Sequence, residues 1–158
     1  MLDQIIQRLQ NMSPFNIWAI KPDGTLEPWY SVTGPGIIPE LVIRDQDIET
    51  QLKVVSAQVS HWGRMAAQAQ RILEIEERHY RVWRSAFYLK IRKEKDEKGK
   101  ALYTEKEFEA LYRTDPEYGE FQARIERARE ALNSATAICD VFKAKQFMLR
   151  PAEKRNRE

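Results

Sequence analysis

Leu2, Ile5, Ile6, Leu9 and Met12 recur at three- and four-residue steps, the spacing that lines one face of an α-helix, and Ser13-Pro14 closes the run. From Phe15 to Arg44 the texture changes to short apolar runs broken by proline and glycine. FNIWAI and TLEPWY flank Lys21-Pro22-Asp23-Gly24, where proline presets φ and glycine accepts a positive φ, so the segment predicts a small β-hairpin. Pro28 has no N–H to give and confines the second strand to an edge. Gly34-Pro35-Gly36 and Ile38-Pro39 are expected to break regular structure before the helical part begins. This region is too small for a core of its own, so Trp18, Trp29 and Tyr30 are expected to pack on neighbouring helices or on another subunit.

Beyond Asp45, an N-cap residue type, Ile48, Leu52, Val55, Val59, Trp62, Ala66, Ala69, Leu73, Tyr80, Trp83 and Phe87 follow a 3-4 alternation. Glu76 interrupts that stripe, while Ile72, Ile75, Val82, Ala86 and Leu89 widen the apolar face beside it. The pattern predicts a helix of roughly 45 residues, about 67 Å long at 1.5 Å per residue. A rod of that length calls for a hairpin, a bundle or an oligomer to cover its apolar face. The run from Lys93 to Lys100 contains no apolar residue and predicts an exposed connector ending at Gly99. Thr104 and Glu107 form a capping-box pair, with Phe108, Leu111 and Tyr112 on the inner face of a short helix. Asp115-Pro116 fits the cap and first turn of a last helix, whose stripe runs through Tyr118, Phe121, Ile125, Ala128, Leu132, Ala135, Ile138, Phe142 and Leu149, with Gln146 as its polar exception. That helix is expected to fold back antiparallel on the first long one and to stop at Pro151.

Taken together, the fold class is all-α: a long antiparallel, coiled-coil-like helical hairpin with a small N-terminal β-hairpin region, assembling into a homo-oligomer. Trp62, Leu73, Trp83, Phe121, Ile125, Leu132, Ile138 and Phe142 are the residues expected to hold subunits together.

Charge changes the picture in one place. Residues 78–100 carry nine Lys/Arg against three acids, so the segments before, within and after this stretch have net charges of −4, +6 and 0. A cationic stripe concentrated in a nearly neutral chain calls for a polyanion such as a nucleic-acid backbone. Tyr80, Trp83, Phe87 and Tyr88 interleave with the cations as possible stacking faces for unpaired bases. Spacing divides them: Tyr80, Trp83 and Phe87 belong to the apolar stripe and are expected to pack, whereas Arg78, Arg81, Arg84, Lys90, Arg92, Lys93 and Lys95 face outward as phosphate contacts, with Tyr88 as the stacking residue.

Catalytic chemistry finds no footing. His61 and His79 are 18 residues apart on one predicted helix, about 27 Å along its axis, and cannot share a metal. Gly34-Pro35-Gly36 lacks the Gly-Lys-Ser/Thr of a phosphate loop. Glu74, Glu76 and Glu77 surround a helix instead of converging, and Glu74 and Glu77 stand four residues before Arg78 and Arg81 as surface pairs. Ser85 and Ser134 have no base at a recognisable spacing. The chain is therefore read as a non-enzyme without catalytic residues, metal or cofactor. Cys139 is the single cysteine, a small apolar core residue by its setting, consistent with a reducing compartment. No segment approaches the roughly 20 apolar residues of a membrane span, so a cytoplasmic protein without membrane contact is expected.

From about Ala57 to Arg150, the segment QRILEIEERHYRVWRSAFYLKIR, a polar connector, the YRTDPEY turn and a closing helix with ALNSATAICDVFKAKQF resemble the UvsY-like recombination mediators of tailed phages. The resemblance implies a small helical protein forming ring-like homo-oligomers of about six or seven subunits. It further implies binding to single-stranded DNA and loading of a RecA-like recombinase in place of single-strand-binding protein, in the host cytoplasm. The family's basic motif falls on Trp83, Arg84, Ser85 and Ala86, of which Arg84 alone carries charge, so Arg81 or Lys90 supplies the second. Under this reading residues 1–44 form an N-terminal helix plus hairpin-like region, 45–150 the oligomerisation and DNA-binding domain, and 151–158 a flexible tail. The other reading of the same stripes is a coiled-coil structural or assembly protein of a phage particle that binds no nucleic acid.

Overall fold

The computed structural model describes residues 2–44, 47–94, 99, 100 and 102–155. The chain is mostly helical with one two-stranded antiparallel sheet: α1 (Leu2–Gln10), β1 (Phe15–Ile20), β2 (Leu26–Val32), the one-turn α2 (Gly34–Ile37), a 3-10 turn (Ile38–Leu41), α3 (Ile48–Lys93), α4 (Glu105–Thr114) and α5 (Pro116–Arg155). It divides into two compact units, the first of residues 1–71 and 129–158, the second of residues 72–128. Both long helices contribute to each unit.

In the first unit the hairpin forms at the predicted place. The Lys21 N–H donates to the Thr25 carbonyl at 2.8 Å, and Gly24 supplies a φ of 82° that a side chain would strain. Phe15, Ile17 and Val32 turn inward to a core shared with Leu9, Leu41, Val55, Trp62, Ile138, Phe142 and Leu149, so residues 1–44 have no separate interior. Fully burying each large apolar side chain contributes about 1.5–3 kcal/mol, the main term holding the small N-terminal elements to the helices. Ser56 meets Gln146 and Val59 meets Cys139: the Gln146 amide donates to Ser56 Oγ at 2.8 Å, and the Cys139 thiol donates to the Val59 carbonyl at 3.7 Å. One helix ascends as the other descends, so α3 and α5 are antiparallel here. Cys139 is buried, as its apolar setting implied.

Two local expectations change. Gly34-Pro35-Gly36 begins a helical turn instead of breaking structure, because Thr33 caps it through Oγ1 to the Gly36 N–H and proline occupies a first-turn position, where its missing donor costs nothing. Gly34 itself is dictated by contact: a Cβ there would lie 1.9 Å from the Leu9 carbonyl oxygen. Pro151 does not end α5, which continues to Arg155; so near the helix end, the lost bond to Phe147 leaves only one turn beyond it to be held. Asp45, the cap expected for α3, lies outside the described residues; ahead of the helix, Asp47 takes a φ of 63°, a conformation aspartate tolerates.

A buried lysine that spacing did not reveal joins the same unit. Lys145, 7% exposed, donates from Nζ to the carbonyls of Glu40 at 2.5 Å and Val42 at 3.2 Å, at the end of the 3-10 turn. Its amine satisfies carbonyls that the turn leaves without partners, and burial pushes its pKa down.

Candidate nucleic-acid interface

The second unit is built around aromatic rings. α4 starts where the capping box predicts: Thr104 Oγ1 accepts from the Glu107 N–H at 3.3 Å while Glu107 Oε2 accepts from the Thr104 N–H at 2.7 Å. The Thr104 hydroxyl also donates to Glu107 Oε2 at 2.8 Å, and together with the Thr104 N–H it holds the Glu107 carboxyl below its ordinary pKa. Asp115 Oδ1 accepts from the Glu117 N–H at 2.9 Å and opens α5. α4 thereby sets Phe108 and Tyr112 against α3, and ring contacts run from Phe87 to Phe108, Trp83 to Phe121, and Tyr80 to Tyr118 and Phe121, at centroid distances between 5.4 and 6.2 Å. Tyr80, Trp83 and Phe87 are packing residues, as the stripe predicted. Burial raises the Tyr80 phenol pKa, with Tyr112 adding to the effect.

Across this core, Glu76 is 3% exposed, and Arg124 brings Nη2 to 2.9 Å from its Oε2. The N–H vectors point off-line, so the contact is an ion pair rather than a directed hydrogen bond. Glu76 with Arg124, and Trp83 with Phe121, again run in opposite directions along α3 and α5, which makes the pair antiparallel in this unit too.

The cations divide by what they touch. At 3.6 residues per turn, Arg78, Arg81, Arg84 and Arg92 fall within one arc of about 120° on α3, beside the packed face. All four are exposed. Arg78 and Arg81 have no ring contact or side-chain hydrogen bond among the described residues. Arg84 lies over the Tyr112 ring, 5.0 Å from its centroid. Arg92 lies 5.6 Å over the Tyr88 ring and donates from Nη1 to the Tyr88 hydroxyl at 2.9 Å. Tyr88 is half-buried, edge-on to Phe108 at 4.7 Å, and its hydroxyl donates to Glu105 Oε1 at 3.0 Å. Stacking on a base would use whatever face this network leaves open. Lys93 is exposed at the helix end, Lys90 is exposed on the other side of the packed face, and Lys95 lies outside the described residues. Two shallow clefts, of about 260 and 400 Å3, flank Tyr88 and are lined by Arg92 and Arg84 respectively.

The residues expected between subunits differ in how far the chain itself covers them. Trp62, Ile138 and Phe142 are at most 2% exposed, Leu73 and Ile125 are buried, and Trp83, Phe121 and Leu132 are half-buried. Val82 and Leu89, expected to widen the packed face, are instead 65% and 58% exposed. They lie on the solvent side of α3 with Ala86, one turn apart, next to the arginine arc. The couplings of Arg84 to Tyr112 and of Tyr88 to Glu105 escaped the sequence reading because they join α3 to α4 across the connector, whereas Arg92 and Tyr88 meet four residues apart on α3.

His61 sits edge-on to Trp62 in the first unit, and His79 is exposed on the second. Among the described residues, no cluster of three or more His, Cys, Asp or Glu could hold a metal, and no helix is long and apolar enough to cross a membrane. Comparison of the chain with protein-family models, with curated proteins and with solved structures returns no match.

Proposed function

We propose that the protein binds single-stranded DNA as a homo-oligomer and acts as a recombination mediator, loading a RecA-like recombinase onto strands held by single-strand-binding protein during phage recombination or repair in the host cytoplasm. The observation that carries the reading is the exposed arc of Arg78, Arg81, Arg84 and Arg92 on one helix. Arg78 and Arg81 are ready phosphate contacts. Arg84 and Arg92, held over tyrosine rings, present guanidinium groups at fixed positions, a pre-organisation that lowers the ordering cost of binding. The resemblance of Ala57 to Arg150 to UvsY-like mediators supplies the biological setting. Because the long stripes are covered within the chain, subunit contacts fall to exposed apolar residues such as Val82 and Leu89.

Four arginines meeting phosphates give a slope of about −3 in log affinity against log salt for one protomer, hence a loss of about fiftyfold between 50 and 200 mM salt. Repetition around an oligomer multiplies the grip. Titrating labelled poly-dT at several salt concentrations, with sedimentation mass measured alongside, tests both parts. Arg78→Ala/Arg81→Ala is expected to reduce the slope by more than one and to leave the mass unchanged. Undetectable or salt-independent binding rejects the reading, and a stable oligomer indifferent to DNA favours a structural or assembly protein.

A further inference from the structure

The hairpin carries a large apolar side chain that the fold does not use. Pairing runs Ile17 to Tyr30 and then Trp18 to Pro28, so Trp29 is the extra residue of a β-bulge. The indole meets solvent: Trp29 is 60% exposed and neighbouring Tyr30 47%, whereas Trp62 is 2% exposed in the same unit. Trp29 lines an open cleft of about 470 Å3 with Ala19, Ile20, Gln68 and Arg71. The Gln68 amide donates to the Trp18 carbonyl at 3.2 Å, which ties α3 to β1 and fixes the floor of the cleft. Arg71 is exposed and has no carboxylate within ion-pair distance among the described residues. An exposed indole, a fixed amide and an unpaired guanidinium around one cleft match the parts of an unpaired nucleotide: a flat base to stack, polar edges and a phosphate.

We infer that the Trp29–Arg71 cleft binds one unpaired nucleotide of a single strand, the base on the indole and the phosphate at the guanidinium. The inference rests on the single-strand-binding reading and adds a base-stacking contact in the first unit to the phosphate contacts of the second. Stacking is nearly independent of salt, so this contact sets a floor under the affinity where the arginine arc is screened.

The test titrates a short labelled thymidine oligonucleotide into the full chain and into Trp29→Ala, Trp29→Phe and Arg71→Ala, reading anisotropy and indole emission at several salt concentrations. Trp29 is exposed, so the variants are expected to keep the parent circular-dichroism spectrum and melting temperature. In the parent, oligonucleotide should quench indole emission. Trp29→Ala should lose that quench and at least about fivefold in affinity with the salt slope unchanged, and Trp29→Phe should recover much of the affinity. Arg71→Ala should reduce the slope by about 0.7. Equal affinity of parent and Trp29→Ala overturns the cleft assignment while leaving the arginine arc standing. No binding by the parent overturns both. A changed sedimentation mass in Trp29→Ala with unchanged DNA affinity makes the hairpin a protein contact and also overturns the inference.

Discussion

Removing the cation from the Glu76–Arg124 pair should destabilise the protein far more than removing both partners. Glu76 has a side chain 4% exposed, and Arg124 is its ion-pair partner at 2.9 Å. Breaking a fully buried pair by deleting one partner costs about 3–5 kcal/mol, because the remaining charge is stranded away from water. The Arg124 side chain is 41% exposed, so water can reach the vacated position, and the expected cost of Arg124→Met falls to about 2–3 kcal/mol. Methionine keeps the apolar stem that packs beside Phe121, though it forgoes the guanidinium 5.4 Å over that ring. For a chain of this size the loss corresponds to a melting-temperature drop of about 4–12 °C. Glu76→Leu continues the apolar stripe, so Glu76→Leu/Arg124→Met should lie within about 1 kcal/mol of the parent. Urea unfolding followed by circular dichroism gives the four free energies of the double-mutant cycle. A loss under about 0.5 kcal/mol for Arg124→Met, or a double variant as unstable as the sum of the singles, would refute the claim that a stranded charge governs this position.

Two glycines should respond in opposite directions. Gly63, inside α3 with nothing within 4 Å of a built Cβ, should gain about 0.5–1 kcal/mol on Gly63→Ala. Gly34→Ala would drive a methyl into the Leu9 carbonyl and should lose about 1–3 kcal/mol, both read as shifts in the urea midpoint. Lys145 predicts a pH dependence. Burial lowers its pKa, so near the unfolded value of 10.5 the unfolded chain holds more protons than the folded one. Its contribution is therefore full above that value and is lost as pH falls through the lowered folded pKa. Melting curves should show the parent's margin over Lys145→Met growing on the alkaline side; a margin flat with pH would contradict the burial argument.

What was legible in the sequence follows from how far a signal travels along the chain. Periodicity and capping are local, so the 46-residue α3, the Thr104–Glu107 capping box, the Asp115 cap and the hairpin turn at Lys21 to Gly24 were all readable. Gly34-Pro35-Gly36 misled because both residue types are breakers in isolation, whereas Thr33 and the close approach of α1 turn them into a helix start. Glu76 stands on an apolar stripe, where spacing alone registers it as an interruption, and Lys145 is buried although the stripe gave its neighbour Gln146 as the polar exception. Their partners, two carbonyls about a hundred residues away and an arginine on the opposite helix, exist only once the chain is folded. Of the proposed DNA-contacting residues, outward placement was readable from the helical period, but their restraint by Tyr112, Tyr88 and Glu105 was not.

The same reasoning relocates the proposed subunit contact. A heptad-like stripe states that a helix has an apolar face to cover, and it does not state which chain covers it. Here Trp62, Ile138 and Phe142 are covered by the chain's own elements, so their substitution should unfold the protein before it dissociates an oligomer. Val82 and Leu89 contribute little to the folded single chain, because 65% and 58% of their surfaces already meet water. An oligomer that buried them would gain up to about 1.5–3 kcal/mol for each side chain and copy. The arginine arc lies directly beside them on α3, so assembly through this face would bring arcs from successive copies into one row.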